Sequence, residues 1–316
     1  MENKSKTGFL TDVRYREHLT GTGHPETPSR LDFIDRKIHQ KGLFDRLFQI
    51  KPRFADREFV LKVHQREYIE RLASFASQDG LSYLDPDTPI SPLSFKTALL
   101  AAGGICQAVD AIMAGKIRNA FCAVRPPGHH ARIGRAMGFC LINHIAIAAR
   151  YVQEKYGIER VAIIDWDVHH GNGTQEIFYE DPSVFYMSVH QFPFYPGTGR
   201  SGEVGKGPGE GYTLNCPLDQ GSGDREYFNQ FENILFPRLE FFKPQFIFIS
   251  AGFDAHKDDP LAGMAVSTDG FGRLTSIVRQ TAEKFCDGRL VSVLEGGYNL
   301  EALAESVEKH LTVLMG

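Results

Sequence analysis

Asp165, Asp167 and His169 occupy alternate positions in the stretch Asp-Trp-Asp-Val-His-His-Gly-Asn-Gly-Thr, residues 165–174. The run Val161-Ala-Ile-Ile before it is short, apolar and β-branched, as in a strand buried on both faces. Alternate residues of a strand share a face. A strand that continues through His169 therefore points two carboxylates and an imidazole in one direction. Buried together, such a set needs a cation, and a divalent metal is the simplest one. Asp254, in Ala-Gly-Phe-Asp at 251–254, offers another carboxylate. Asp167, His169 and Asp254 make three ligands and leave a position open for water or substrate, the catalytic rather than structural pattern. Two hard oxygens and one nitrogen suit Zn²⁺, and Fe²⁺ or Co²⁺ would also fit. Asp254 has a second reading as a helix N-cap, and His256 reads as peripheral.

Around that set stand groups able to move protons. His129-His130 follows Arg-Pro-Pro-Gly, a turn that fixes direction. Two imidazoles beside an activated water suit general base and general acid roles, because histidine titrates near neutrality. Asp165 is the obvious orienting partner for His129, and Asn172 is available for His130. An uncharged amide raises a histidine pKa less than a carboxylate does. Tyr298 follows two glycines, which let a loop bend tightly, and a phenol can donate to an oxyanion. The combination points to water attack on the carbonyl of an amide or ester. No Gly-x-Ser-x-Gly elbow is present, and Cys140 has no motif of its own. The loop aromatics Phe139, Phe192, Phe194 and Tyr195 would line an apolar slot for an alkyl chain.

The elements that must position these residues alternate between strand and helix. Strands are predicted at 120–124, 161–167, 184–189, 246–250 and 290–294, and helices at about 29–41, 93–115, 142–155, 174–179, 224–242, 270–286 and the C-terminus. Residues 1–30, 80–92 and 191–223 read as loops, and 56–77 as helix or turns. The pattern predicts an open parallel sheet with helices on both faces, a three-layer α/β fold in a single domain over 1–316. The polar groups fall just past the C-terminal ends of strands, the rim where such sheets build sites. A net charge of −4 without charge blocks argues against a nucleic-acid footprint. No apolar run approaches the roughly 20 residues that span a bilayer. Five dispersed cysteines, with no signal core after Met1, fit reduced thiols and a cytoplasmic location.

Taken in order, the motifs resemble those of the histone deacetylase superfamily, including bacterial deacetylase-like and acetylpolyamine amidohydrolase enzymes. They are His-Pro-Glu-x-Pro-x-Arg at 24–30, Arg-Pro-Pro-Gly-His-His at 125–130, Gly-Phe-Cys at 138–140, Asp-x-Asp-x-His-His-Gly-Asn-Gly at 165–173, Phe-Tyr-Pro-Gly-Thr-Gly at 194–199, Ala-Gly-Phe-Asp and Glu-Gly-Gly-Tyr at 295–298. The resemblance implies an arginase-like fold and Zn²⁺-dependent hydrolysis of acyl-lysine or similar amides. Matched by motif, it makes Asp167, His169 and Asp254 the zinc ligands, His129 and His130 the acid/base pair, and Tyr298 the oxyanion donor. Phe139 and Tyr195 become walls of a lysine tunnel. Asp87 becomes the carboxylate that holds the substrate backbone, with Asp85 as the alternative, and Arg30 faces an acetate-release channel. The resemblance also implies K⁺ sites, one at Asp165, Asp167, His169, Ser188 and Val189, another at Phe178, Asp181, Val184 and Tyr212.

The departures carry information. Asn172 stands where class I members have Asp, so the chain looks class II-like. Tyr195 stands where Phe is usual. Leu261 stands where a polyamine-preferring member has Glu, which favours acyl-lysine over a cationic polyamine. The expected partner is an acyl-lysine peptide or protein, or a small acetylated amine, with neither nucleic acid nor membrane. The sequence carries no signal for oligomeric state. Competing readings are a small-molecule deacetylase, a two-metal arginase-type hydrolase and a non-catalytic acyl-lysine reader.

Overall fold

Parallel strands buried on both faces must be apolar along their length, and short runs of that kind build the central sheet. A computed structural model describes residues 7–316; residues 1–6, the start examined for a signal core, lie outside the described residues. In chain order the strands are β1 Thr7–Leu10, β2 Phe48–Ile50, β3 Ser82–Tyr83, β4 Pro89–Ile90, β5 Asn119–Cys122, β6 Val161–Asp165, β7 Val184–Gln191, β8 Thr213–Leu218, β9 Phe246–Ala251 and β10 Leu290–Leu294. β3 and β4 form a small antiparallel pair. The other eight make one sheet, in the order β2-β1-β5-β10-β9-β6-β7-β8, with every pairing parallel. β5, β6, β7, β9 and β10 are buried at every residue.

Two groups of helices flank the sheet. Helices Ser94–Met113 and His144–Tyr156 pack on each other and on the central strands. Helices Ser29–Gln40, Thr268–Phe285 and Leu300–Met315 form the other group. Asn143 starts one of these helices by accepting the Ala146 N–H, and Ser267 starts another by accepting from Gly270. The α/β architecture expected from the alternation is therefore present.

Chain order places the site. After β5 the chain leaves a gap and builds β6; β9 and β10, made last, fill that gap. The segments after β5, β10, β9 and β6 thus emerge side by side at one rim, where strand order departs from chain order. His129, Tyr298, Asp254 and Asp167 all lie on those segments.

Several local expectations are corrected. β1 and β2 lie in stretches read as loop or left unassigned, and they are too short for a period-2 pattern to show. β8 lies inside the supposedly irregular 191–223, where Asn215 and Pro217 disguise it. Pro217 is tolerated because β8 is an edge strand. Helix 224–242 contains a π segment at Gln230–Leu235. β6 ends at Asp165 and does not continue through His169. Asp165 Oδ1 accepts the Asp167 N–H at 3.2 Å, and Asp167 Oδ1 accepts the His169 N–H at 2.9 Å. These side-chain bonds take the place of the ladder and turn the chain.

Helix Ser94–Met113 has the length and apolar composition to span a bilayer, which the sequence reading did not anticipate. About its apolar window, 78% is buried inside the protein, so it serves as a core helix. Gly103 on this helix meets the chain at 53–55: a Cβ there would lie 2.1 Å from the Arg53 carbonyl and 2.4 Å from the Ala55 nitrogen. Helix propensity alone favours Gly103→Ala by about 1 kcal/mol. Overpacking against backbone, which cannot swing aside, costs about 1–3 kcal/mol. The net expectation is a destabilised Gly103→Ala variant in chemical denaturation; a raised midpoint would contradict this packing.

Candidate active site

The polar residues of the rim converge on one cluster. Asp167, His169 and Asp254 each offer a ligand atom, all within 4.8 Å of one another. His169 Nδ1 lies 3.1 Å from Asp167 Oδ1 and 3.2 Å from Asp254 Oδ2. The remaining oxygens are held by backbone: Gly296 N–H donates to Asp167 Oδ2 at 2.8 Å and Val168 N–H to Asp254 Oδ1 at 2.8 Å. Asp254 Oδ2 is fully buried and makes no well-aligned hydrogen bond; its one charged neighbour is His169 Nδ1, already shared with Asp167. A Cβ on Gly296 would come within 2.1 Å of Asp254 Oδ2, so glycine keeps the approach open. Burial disfavours charge on His169, but its two carboxylate neighbours overcome this and push its pKa up to about 10. Two buried carboxylates and one nitrogen, with an orphaned oxygen among them, fit a divalent cation. No helix starts after Asp254 until Thr268, so the helix-cap alternative falls away. His256 is turned to Thr268 Oγ1 at 3.1 Å, away from the cluster.

A second set, His129, Cys140 and Glu295, has equal proximity. Its carboxylate is already satisfied, and its thiol is protonated and bonded. Glu295 Oε2 accepts the N–H groups of Gly128 at 2.7 Å and His129 at 3.2 Å, while Oε1 accepts from Ser250 Oγ at 3.2 Å. The Cys140 thiol donates to the Gly138 carbonyl. This second set is a structural tie between the ends of β10, β9 and the His129 turn.

The two histidines sit in different environments. His129 Nδ1 lies 3.0 Å from Asp165 Oδ2, and its Nε2 is 3.8 Å from Asp167 Oδ1. His130 Nδ1 lies 2.8 Å from Asn172 Oδ1. Burial lowers both pKa values. For His129 the charges of Asp165, Asp167 and Glu295 reverse this and raise it well above the usual value. His130 faces His129 and His169 and stays well below. Asp165 is steadied by the Tyr186 hydroxyl, which donates at 3.2 Å.

Tyr298 lies near enough to the cluster for the Asp254 charge to act on its phenol. Its ring lies 5.9 Å from that of Phe139 and 5.2 Å from the Arg30 guanidinium. Burial, with the Asp254 charge, raises its phenol well above the usual pKa, so it is a neutral donor. Phe139 has φ +68° beside Gly138 at +55°. Met137 and Cys140 close around them with reciprocal N–H to carbonyl bonds of 3.2 and 3.0 Å. Two left-handed residues between bonded flanks make a tight mirror-image turn, with Phe139 at its tip. The Tyr195 ring lies edge-on to His130 at 5.2 Å and to His169 at 6.0 Å, and Phe194 stacks on His169 at 5.4 Å.

The motif matches are backed by the comparisons. The histone deacetylase domain model matches residues 24–314. The chain belongs to the histone deacetylase family. It is 44% identical to a probable deacetylase of Archaeoglobus fulgidus, over 93% of this chain and 82% of that relative. It is 42% identical to a histone deacetylase-like amidohydrolase of Pseudomonas aeruginosa, over 88% of this chain and 73% of the other. The crystal structure of the HDA15 HD domain superposes with a TM-score of 0.94 at 39% identity, covering 99% of this chain and 88% of that one. Membership of this family, which is generally metal-dependent, makes the protein a hydrolase of amide bonds acting on acetylated substrates.

Set in this deacetylase fold, the remaining motif residues fall as follows. Asp87 is half-buried, accepts from Thr88 Oγ1 at 3.1 Å, and donates its N–H to Asp85 Oδ1 at 3.1 Å. Both carboxylates are close enough to raise the Tyr195 phenol, after the larger effect of burial. Leu261 is half-buried, with its N–H on Asp259 Oδ1 at 2.9 Å. Asp165 and Ser188 are register partners in β6 and β7, and Val189 follows. Of the second cation set, the Phe178 carbonyl accepts from Asp181 at 3.0 Å, the Asp181 carbonyl from Val184 at 3.4 Å, and the Tyr212 carbonyl from Tyr186 at 2.9 Å. Arg30 is fully buried, donating to the carbonyls of Gly297 at 2.7 Å and Glu295 at 2.5 Å.

Four site-shaping residues received no role from the sequence: Glu26, Arg125 and Glu295, which stand inside the quoted motifs, and Asp259. Glu26 joins Arg30 at 3.1 Å and Arg125 at 2.5 Å, all fully buried. Burial opposes its ionisation, but the two guanidinium groups, Arg125 foremost, hold its pKa down to about 2. Glu26 lies before the helix Ser29–Gln40, so no helical spacing announced its pairing with Arg30. Removing one partner of a buried ion pair costs about 3–5 kcal/mol. Glu26→Ala should lose that much in denaturant unfolding, whereas the exposed pair Arg57–Glu70 should tolerate Glu70→Ala. Equal, small losses would show that the buried cluster carries no load.

Proposed function

We propose that this protein is a zinc-dependent deacylase that removes acetyl or other acyl groups from lysine side chains. The observation that carries this reading is Asp254 Oδ2: a fully buried carboxylate oxygen without a well-aligned hydrogen bond, beside Asp167 and His169 and facing a histidine pair. Asp167, His169 and Asp254 would hold the metal, Zn²⁺ or Fe²⁺. Bound there, it would supply Lewis-acid polarisation of the amide carbonyl and acidify a water.

The chain's own groups do the rest. Asp165 fixes the His129 ring, and Asn172 fixes His130 as the tautomer with its proton on Nδ1, so both present Nε2 to the site. Between them they take a proton from the attacking water and return one to the leaving amine. Tyr298, neutral and near the ligand cluster, donates to the carbonyl oxygen as negative charge develops. Phe139 and Tyr195 flank the alkyl chain, and Asp87, beside Asp85, accepts from the substrate backbone. Arg30 lines the route for the released acid. Asp165, with Ser188 and Val189, and the turn from Phe178 to Val184 with Tyr212 take K⁺. Leu261 offers no charge to a cationic polyamine, which supports acyl-lysine as the substrate.

Two experiments test this. Purified enzyme should release acetate from an acetyl-lysine peptide, lose this on chelation, and show lower kcat/KM on acetylputrescine than on the peptide. Failure of metal-loaded enzyme on a panel of acyl-lysines would sink the reading. Asp167→Ala should lose metal and activity together. Asp165→Asn should keep the metal while kcat falls about 10²–10⁴-fold, the usual worth of general acid–base catalysis. Complete metal loss in Asp165→Asn would refute the division of labour between the two aspartates.

A further inference from the structure

The phenol of Tyr298 receives no hydrogen bond from any described residue, so its place is set by its ring contacts and its backbone. That backbone follows Gly297, whose φ of +122° is a glycine conformation. A loop of this kind holds a side chain still only if something holds the loop. Its carbonyls are gripped by Arg30. Its amides are gripped by a different residue. Asp259 Oδ2 accepts the N–H of Tyr298 at 2.7 Å and that of Asn299 at 3.3 Å. Asp259 Oδ1 accepts the N–H of Leu261 at 2.9 Å, and Asn299 Nδ2 donates to the Asp258 carbonyl at 2.9 Å. Asp259 is only 7% exposed.

We propose that Asp259 is a positioning residue for Tyr298, tying the 258–261 loop to the oxyanion donor. The proposal deepens the deacylase reading and rests on it. Three N–H donors converge on two oxygens of one carboxylate, and charge-assisted bonds of this kind are the strong ones. An amide in the same place keeps one oxygen and turns an NH₂ toward a backbone N–H, so at least one grip is lost. The other oxygen of Asp259 sets the turn that presents Leu261. Contacts that Leu261 makes with a bound acyl-lysine are thereby coupled to the placement of the group that stabilises the reaction. The competing role is simple capping, because Asn299 starts the C-terminal helix by accepting from Ala302 N–H at 3.1 Å.

A kinetic cycle separates the two. Asp259→Asn, Tyr298→Phe and the double variant are assayed as metal-loaded enzymes on acetyl-lysine and trifluoroacetyl-lysine peptides, with metal content and thermal melts recorded. The electron-poor trifluoroacetyl carbonyl needs less help from an oxyanion donor. Asp259→Asn should lower kcat on acetyl-lysine about 10–100-fold, the cost of a displacement near 1 Å. KM and metal content should stay near wild type, and the loss on trifluoroacetyl-lysine should be smaller. On the Tyr298→Phe background it should add nothing. An equal loss on both substrates, or an undiminished loss in the double variant, would overturn the proposal and leave capping. Should Asp259→Asn fail to fold, Asp259→Glu, which keeps the charge but shifts it by one methylene, must show the same substrate dependence. Full kcat in Tyr298→Phe would instead refute the role of Tyr298, a different failure.

Discussion

The structure depends on how it accommodates buried negative charge at one rim of its sheet. Glu26, Asp165, Asp167, Asp254 and Glu295 are all within 1% of complete burial. A carboxylate out of water needs compensation from paired charge or from hydrogen bonds. The five are answered in different ways. Glu26 has two arginines, and Glu295 has two backbone amides and a serine. Asp165 has a histidine, a tyrosine and an amide. Asp167 has two amides and His169. Asp254 has the Val168 amide on one oxygen, and the other, alone among the ten, has no aligned hydrogen bond, only the His169 nitrogen that it shares with Asp167. The deficit at that one atom distinguishes a place for a cation from an ordinary buried acid, and it separates this cluster from the equally compact set of His129, Cys140 and Glu295.

Topology explains why these charges meet at all. β9 and β10 enter the sheet between β5 and β6, so four loops from widely separated parts of the chain leave it as neighbours. Register then sets depth: Asp165 aligns with Ser188 on one side and Ser250 on the other, and Ser250 aligns with Val293. Glu295 lies two residues beyond Val293 and one beyond Leu294, the register partner of Ala251, and the Ala251 carbonyl accepts the Glu295 N–H at 3.1 Å. The carboxylates cluster at the last rungs of the ladder and just beyond, which is where backbone amides become free to bind them. The rim is polar and the strands below it are apolar for one reason: the ladder saturates the backbone below and leaves it unsaturated above.

Legibility in the sequence followed the same division. The strands at the centre were readable because their burial forces continuous apolar runs, and the convergence of Asp167, His169 and Asp254 at the rim was readable because such residues just past strand ends share one edge of the sheet. β1 and β2 were not, being too short for a period to show, and β8 was hidden by the proline and asparagine that an edge strand permits. The turn after Asp165 was misread as strand because an alternation of polar residues looks the same whether the ladder or the side chains bond the backbone. Glu295 and Asp259 escaped for a deeper reason. Their partners are main-chain N–H groups, which every residue other than proline carries, so no pairing of side-chain types announces them.

The histidine pair shows what such hidden contacts do for chemistry. The rings of His129 and His130 are 4.0 Å apart, too close for both to carry charge without strong repulsion. Which of them carries a proton is decided by what lies behind. Asp165 backs the His129 ring with a carboxylate, Asp167 lies 3.8 Å from its other nitrogen, and Glu295, bonded to the His129 backbone N–H, adds to them. Asn172 backs His130 with a dipole only, and its own amide donates to the weak acceptor Met137 Sδ. Burial presses both rings toward neutrality, and only His129 has the anions to resist. Two chemically identical side chains, adjacent in sequence, are thus shifted in opposite directions by their surroundings, the pattern that separates the tasks of neighbouring titratable groups. That asymmetry comes first from Asp165 at the end of β6, then from Asp167, with Glu295 at the exit of β10 adding to both, so the electrostatics of the pair belong to the sheet rim as a whole.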